Sequence, residues 1–323
     1  MTESGRGPML AAFVALLVLL GGPVDGHPGH MEGVTGPVGD PTLPPHQTVV
    51  KVTDTVHLFM TPRGGPNASF VVTPAGVVVV DSLVTPALAR RLLAEIRKVT
   101  PLPVRYVINT HEHSDHVFGN QVFSPPAEII AHENVRAHYI KNVDREFAFR
   151  RSISPGIDLS EVKVTLATLT LSGTRSTLTL HLGGREFQIH HFGPGQTTGD
   201  LFIYLPDEKV MFTGDSFNRR SINFMGNMAS YEGWLRTLDQ IGAMDVRVYV
   251  AGHGHPATKG DIAAYREMLE SFHTEVKRGV ERGASVQELL RTLTFRQYQG
   301  WRNYERFVHR NIEGLYKRFA AKP

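Results

Sequence analysis

Six consecutive residues, His111-Glu112-His113-Ser114-Asp115-His116, place three imidazoles and two carboxylates in one short stretch of chain. In an extended segment His111 and His113 project to the same side. Two imidazoles on one side make half of a tetrahedral metal site. Asp115 and His116 lie just beyond and can turn toward a second position. Burying such a cluster unpaired is costly, so packing gives no reason for it. Imidazole with carboxylate is a donor set for Zn, with Fe or Mn also served.

Three later stretches offer groups that could complete the site. Thr213-Gly214-Asp215 brings a carboxylate after a β-rich run, and Ala251-Gly252-His253-Gly254-His255 brings an imidazole between glycines that let the backbone bend. The run from His190 to Asp200 is a Gly-rich turn that includes Gly195-Gln196-Thr197. Each is weak alone, since a lone Asp or His after a strand is most often a turn or surface residue. Their joint occurrence, in this order, carries the argument. Asn218, Asn223 and Asn227 read as turn residues, although any one of them could donate to a substrate oxygen.

The elements that must position these groups follow an α/β pattern. β-branched runs over 68–73 and 77–80 flank Pro74-Ala75-Gly76 and read as a hairpin. Thr85-Pro86 starts a helix, with Pro at its first position. Residues 104–108 form a strand that feeds directly into the histidine run. Residues 133–150 read as a charged helix, and residues 140–160 as a flap over the site. Residues 231–241 read as a short helix with Tyr231 and Trp234 in the core. Residues 246–250 are a strand ending in a histidine-bearing loop, Asp261 caps the next helix, and the last helix carries an apolar stripe from Tyr304 to Phe319.

On the residues from 68 to 81, the His-x-His-x-Asp-His run at 111–116, Gly214-Asp215 and Gly252-His253-Gly254, the chain resembles the metallo-β-lactamase-fold metallohydrolase superfamily, from about Val49 to His255 and more loosely to the end. The resemblance implies an αββα sandwich with two metals at the sheet edge. Carried over by position, it implies His111 and His113 on the first metal, Asp115, His116 and His253 on the second, Asp215 bridging, and Asp81 steadying the ligands from outside. The family's third ligand of the first metal is a His in a Gly-His-Thr turn. Here Gln196 stands in that place, and its carbonyl oxygen is a weaker donor to Zn than imidazole. The first position is therefore expected to bind less tightly, with His190 or His191 on the preceding strand as a substitute and His255 a spare imidazole in its loop.

Composition bounds the rest. With 41% hydrophobic and 20% charged residues the chain can bury a core. The absence of Cys excludes thiolate ligands and disulfides. Residues 276–323 hold 11 Lys/Arg against 4 Asp/Glu, read as a solvated helix face in preference to a surface for anions. Residues 1–26, with a 12-residue apolar run over 9–20 ahead of Gly21, Gly22, Pro23 and Gly26, have the layout of a secretory signal peptide. Residues 27–48 read as a flexible linker and 49–323 as the catalytic domain with C-terminal helices. The expected protein is periplasmic or secreted, with no stable membrane span after cleavage and no nucleic-acid partner. It is expected to hold one or two Zn2+ and to be β-lactamase-like, attacking a small carbonyl substrate (lactam, lactone or thioester, with phosphodiesters second) by metal-activated water, which Asp115 orients or deprotonates. Two rival readings from other classes are a mononuclear iron oxygenase and a non-catalytic metal-binding homologue.

Overall fold

The computed structural model describes residues 46–321. The expected signal peptide and the expected linker up to residue 45 lie outside the described residues. All described residues fall in the unit spanning 37–323.

One sheet has seven strands in chain order: β1 (Thr48–Lys51), β2 (Val56–Met60), β3 (Asn67–Thr73), β4 (Gly76–Val80), β5 (Val104–Ile108), β6 (Glu128–His132) and β7 (Leu169–Leu171). β1 takes in Thr48, one residue inside the expected linker. The first four strands run antiparallel, and β4 to β7 run parallel. The second sheet is built from β8 (Ser176–Leu182), β9 (Arg185–His191), β10 (Phe202–Leu205), β11 (Val210–Gly214) and β12 (Val248–Ala251), ordered β12-β11-β10-β9-β8. The helices are α1 (Pro86–Val99), α2 (Ser114–Val117), α3 (Glu133–Ile153), α4 (Tyr231–Ala243), α5 (Lys259–Glu281), α6 (Val286–Thr292) and α7 (Tyr304–Ala320).

β4 shows why the layers stack as they do. Its side chains alternate between faces: Val78 and Val80 join Phe187, Ile203, Phe212 and Val250 between the sheets, while Val77 and Val79 pack with Leu92 and Ile96 of α1. A strand buried on both faces reads as an unbroken apolar run, and each buried Val contributes about 1.5–3 kcal/mol. On the far side of the second sheet, Trp234, Tyr249, Tyr265, Phe272 and Ile312 bring α4, α5 and α7 into a third cluster. The result is the expected αββα sandwich.

Local signals set several helix ends. Thr85 caps α1 by accepting from Leu88 N at 3.2 Å, with Pro86 at the first turn. The cap of α5 is Thr258, not Asp261; Asp261 sits three residues in and completes a capping box by accepting from Thr258 N at 2.8 Å. α3 extends to Ile153 with a break in helical geometry at Asn142. Trp234 is fully buried, whereas Tyr231 is half-buried and stacks on His273. Among the described residues no helix is long and apolar enough to cross a membrane.

Parallel pairing of β4 with β5 and of β11 with β12 puts their C-terminal ends at one edge. Asn67 ties the two sheets together there, donating from its side chain to Ala251 O at 3.0 Å and Gly254 O at 2.8 Å, while Leu201 N donates to Thr110 O at 2.7 Å. Asp81, the histidine run, Asp215 and His253 all follow directly from these strand ends.

Candidate metal centre

Asp81 follows β4 at φ +61, in the left-handed region that an Asp tolerates better than most residues. It is 3% exposed, and its carboxylate accepts from Thr110 N at 2.8 Å and Thr110 Oγ1 at 2.9 Å. His116 Nδ1 donates to it at 2.9 Å. Because the Thr110 hydroxyl gives its proton to Asp81, it accepts from His111 Nδ1 at 2.9 Å. One carboxylate thereby orients two imidazoles through their Nδ1 atoms and turns both Nε2 atoms toward the cluster, as outer partners of metal-binding histidines do. His253 reaches the same state by another route, its Nδ1 donating to Gly64 O at 3.1 Å.

These Nε2 nitrogens converge on Asp215. Its Oδ1 lies 3.4 Å from His253 Nε2 and 3.6 Å from His116 Nε2, and Asp115 Oδ2 is 3.5 Å from His253 Nε2. Its Oδ2 lies 3.8 Å from both His111 Nε2 and His113 Nδ1, which are 2.9 Å from each other. A tetrahedral ion with bonds of about 2.0–2.2 Å separates its donors by about 3.3–3.6 Å, so the Oδ1 side matches that spacing. Donor atoms of His111, His116 and Asp215 lie within 4.8 Å of one another, as do those of Asp115, His116 and His253. His116 thus faces both groups rather than the second alone. Among the described residues His116 Nε2 and Gln196 Oε1 are buried without a hydrogen-bond partner, and an ion would satisfy both. These residues fit a divalent metal.

The charges are strongly coupled. Burial lowers the His116 pKa, but the carboxylates of Asp81, Asp215 and Asp115 overrule it and raise it to about 9. Burial, with His116 and His113 as neighbours, holds His111 well below its usual value. Burial also pushes Asp215 up, yet His253 and His116 bring its carboxyl well below the normal range. Asp115 is likewise lowered against burial, chiefly by Arg150, so it is a weak proton acceptor. Asp200, pushed up to about 7 by burial, accepts from Thr197 N at 2.9 Å and Thr197 Oγ1 at 2.6 Å and shapes the turn that carries Gln196.

Two glycines permit the close approach. Gly214 has φ +51, and a Cβ there would lie 2.6 Å from Thr110 Oγ1. A Cβ at Gly252 would collide with Asp215 Oδ1 and lie 2.9 Å from Gly214 C.

The donors open onto a cleft of about 410 Å³, lined by His113, Asp115, Gln196, Asp215 and His253. His190 and His191 are not substitute ligands: His191 donates from Nδ1 to Asp200 O at 2.9 Å and packs its ring, tilted by 30°, against His132, while His190 contacts Thr177. Both sit on β9, which delivers them to other neighbours. His255 does not line the cleft. Asn218 and Asn223 do more than make turns. Asn218 Nδ2 donates to Asp215 Oδ1 at 3.3 Å and its Oδ1 accepts from His253 N at 2.9 Å, and Asn223 Nδ2 donates to Asp215 O at 2.8 Å. The expected flap is the end of α3, whose Phe149, Arg150 and Ile153 line the cleft with Ser154. Sequence reasoning missed Arg150, which donates to Ser114 Oγ at 2.9 Å and to Asp115 Oδ1. It also missed Arg302, just ahead of the C-terminal helix and half-buried, and Arg306 in its first turn and exposed, both of which line the same cleft, while most of the other basic residues of 276–321 form the expected solvated face. A basic run in a sequence carries no mark of which residues face inward.

The family model of the metallo-beta-lactamase superfamily matches residues 61–253. A linear primary-alkylsulfatase of Pseudomonas sp. is 24% identical over 255 residues, covering 67% of this chain and 48% of that protein. The alpha subunit of a 2,4-dinitroanisole O-demethylase of Nocardioides sp. is 28% identical over 199 residues, covering 61% and 55%. The chain therefore spans about half the length of these curated relatives. Among solved structures, a stereoselective inverting sec-alkylsulfatase from Pseudomonas sp. superposes with a TM-score of 0.70 at 16% identity, covering 86% of this chain and 51% of that one. With the fold, the strand-end donors and the matched span in agreement, the chain belongs to the metallo-beta-lactamase superfamily.

Proposed function

We propose that this protein is a metal-dependent hydrolase of a small organic ester carrying an oxyanion at the reacting end, a sulfuric ester in the first instance. The observation that carries the reading is Arg302. Its guanidinium lines the cleft, donates to Ser221 Oγ at 3.3 Å and has no carboxylate partner among the described residues. Burial brings its pKa down to about 10, so it stays charged at neutral pH. A half-buried cation that meets Asp215 and Asp115 only beyond ion-pair distance can take a closer counter-charge, and a substrate oxyanion would supply it. Arg63 and Arg306 share the cleft, and Phe149, Ile153, Phe224 and Phe307 give it an apolar wall. An organic chain ending in an anion suits both surfaces. The alkylsulfatases among the relatives lend weight to this substrate over the carbonyl compounds ranked first from the sequence.

His111, His113, Asp115, His116, Asp215 and His253 would hold the metal, with Gln196 Oε1 as an added oxygen donor. A bound dication would supply hydroxide at neutral pH and polarise the ester. Asp115, held ionised by Arg150, would orient the attacking water more than accept its proton. Arg302 and Arg306 would fix the oxyanion, and Asn223 or Asn227 could donate to it. The working location we propose is the periplasm or the exterior, with residues 1–26 as the leader; sequencing the N-terminus of protein recovered from a secreting host tests this.

The test of the activity is a panel of alkyl sulfates, lactams, lactones, thioesters and phosphodiesters assayed with and without chelator, alongside metal analysis. We expect chelator-sensitive turnover highest on alkyl sulfates. Arg302→Gln should raise KM for them about 10–100-fold, or ~1.4–2.7 kcal/mol, and leave a neutral lactone unaffected. Faster turnover of neutral lactones than of sulfates would overturn the substrate reading. Iron content with oxygen uptake would replace hydrolysis by an oxygenase, and metal binding without turnover would leave the non-catalytic homologue.

A further inference from the structure

α3 grips the histidine run at two points. In its second turn, Tyr139 Oη donates to Glu112 O at 2.7 Å. Near its end, Arg150 donates from Nε to Ser114 Oγ at 2.9 Å and from Nη2 to Asp115 Oδ1. Arg150 and Asp115 are each 7% exposed and Ser114 is 1% exposed, so this contact is made inside the protein. The guanidinium is a planar fork, and two separate acceptors define its plane. With Oδ1 occupied by that fork, Asp115 has Oδ2 turned toward His253 Nε2 at 3.5 Å, on the side where the donor spacing suits an ion.

We propose that Arg150 is the positioning residue of the second metal position: it divides the oxygens of Asp115, taking one itself and presenting the other to the ion shared with His116 and His253. The proposal rests on the metal-centre reading above. Two effects oppose each other. The positive charge of Arg150 repels a dication, whereas the fork fixes one of the three protein donors. Orientation dominates, because the charge of Arg150 is already matched by Asp115 in their direct contact, whereas losing the fork frees a metal donor to turn. Without its partner the Asp115 carboxylate would rotate freely. Losing an outer partner of a ligand typically costs 10–100-fold in metal affinity.

The experiment is a zinc titration of the metal-stripped full chain, in competition with a chromophoric chelator, read for each position separately. Wild type is expected to take two zinc ions of unequal affinity. Arg150→Met should keep one position within twofold and weaken the other 10–100-fold. Arg150→Lys, which restores the charge but not the fork, should fall between them. Tyr139→Phe, which loosens the other grip of α3, should leave both affinities within twofold. Thermal melts of the stripped variants report folding. If Arg150→Met does not fold, Ser114→Ala decides: a several-fold loss confined to the tighter position supports the proposal, and unchanged affinities overturn it. An Arg150→Met chain that binds the second zinc as tightly as wild type, or loses both positions equally, overturns it as well. A wild type that takes one zinc, with an affinity that Arg150→Met leaves unchanged, overturns this proposal alone, whereas a wild type that takes none removes the metal-centre reading too.

Discussion

The two sides of Asp215 are built to different standards. On the Oδ1 side every neighbouring donor has a buried outer partner: Asp81 for His116, Arg150 for Asp115, and Gly64 O for His253. On the Oδ2 side His111 is fixed through Thr110, but the His113 side chain is 29% exposed and the Gln196 amide oxygen has no partner among the described residues. One side is pre-organised, and the other leaves its donors to be ordered by whatever binds. Pre-organisation lowers the entropy spent on binding, so the Oδ1 side is expected to take metal first and hold it longer.

This contrast can be broken in several ways. Asp215→Ala removes the donor common to both sides; zinc binding and chelator-sensitive turnover should fall to background, and two retained ions would show that the sides are independent. Asp81→Ala should weaken the Oδ1 side about 10–100-fold, measured by chelator competition, because His116 loses the acceptor that fixes its tautomer. An equal loss on both sides would show that the Asp81–Thr110–His111 relay matters as much as the direct bond. Gln196→His should tighten the Oδ2 side by roughly tenfold, ~1.4 kcal/mol, and narrow the gap. Unchanged metal content and activity would remove Gln196 from the centre.

The pH dependence has a definite sign. The His116 pKa is raised to about 9, so the proton must leave before Nε2 can bind metal. Zinc affinity on the Oδ1 side should rise as pH climbs from 7 and level off above about 9. For the metal-stripped protein the sign reverses: the stabilisation from protonated His116 is complete below its usual value of 6.5 and is lost as pH rises through about 9. The smallest effect is expected at His190, on the far side of the turn from Gln196, where His190→Ala should leave both zinc affinities within twofold.

Much of the fold was legible because its signals are local. The valine run of β4 marks a strand buried on both faces, and Thr85-Pro86 marks the start of α1. Thr258 was overlooked as the cap of α5 because Asp261, its partner in the capping box, is also a capping type. The donors of the centre could be read from the chain for a related reason. They sit where parallel strands end, and strand ends are visible as the last residue of an apolar run.

The chain by itself determined the kinds of donor, their order, and the one departure at Gln196. The tertiary structure decided how they are held and shared: which oxygen of Asp215 faces which histidines, that His116 looks toward both groups, and that Arg150, 35 residues beyond Asp115, takes one of its oxygens. It also turned Arg302 from a member of a basic tail into a cation of the cleft with no carboxylate ion pair among the described residues. The physical reason is range. A strand end is set by neighbours a few residues away, but the reach of a long side chain into a cleft depends on where a distant helix crosses, and no local pattern in the sequence records that crossing.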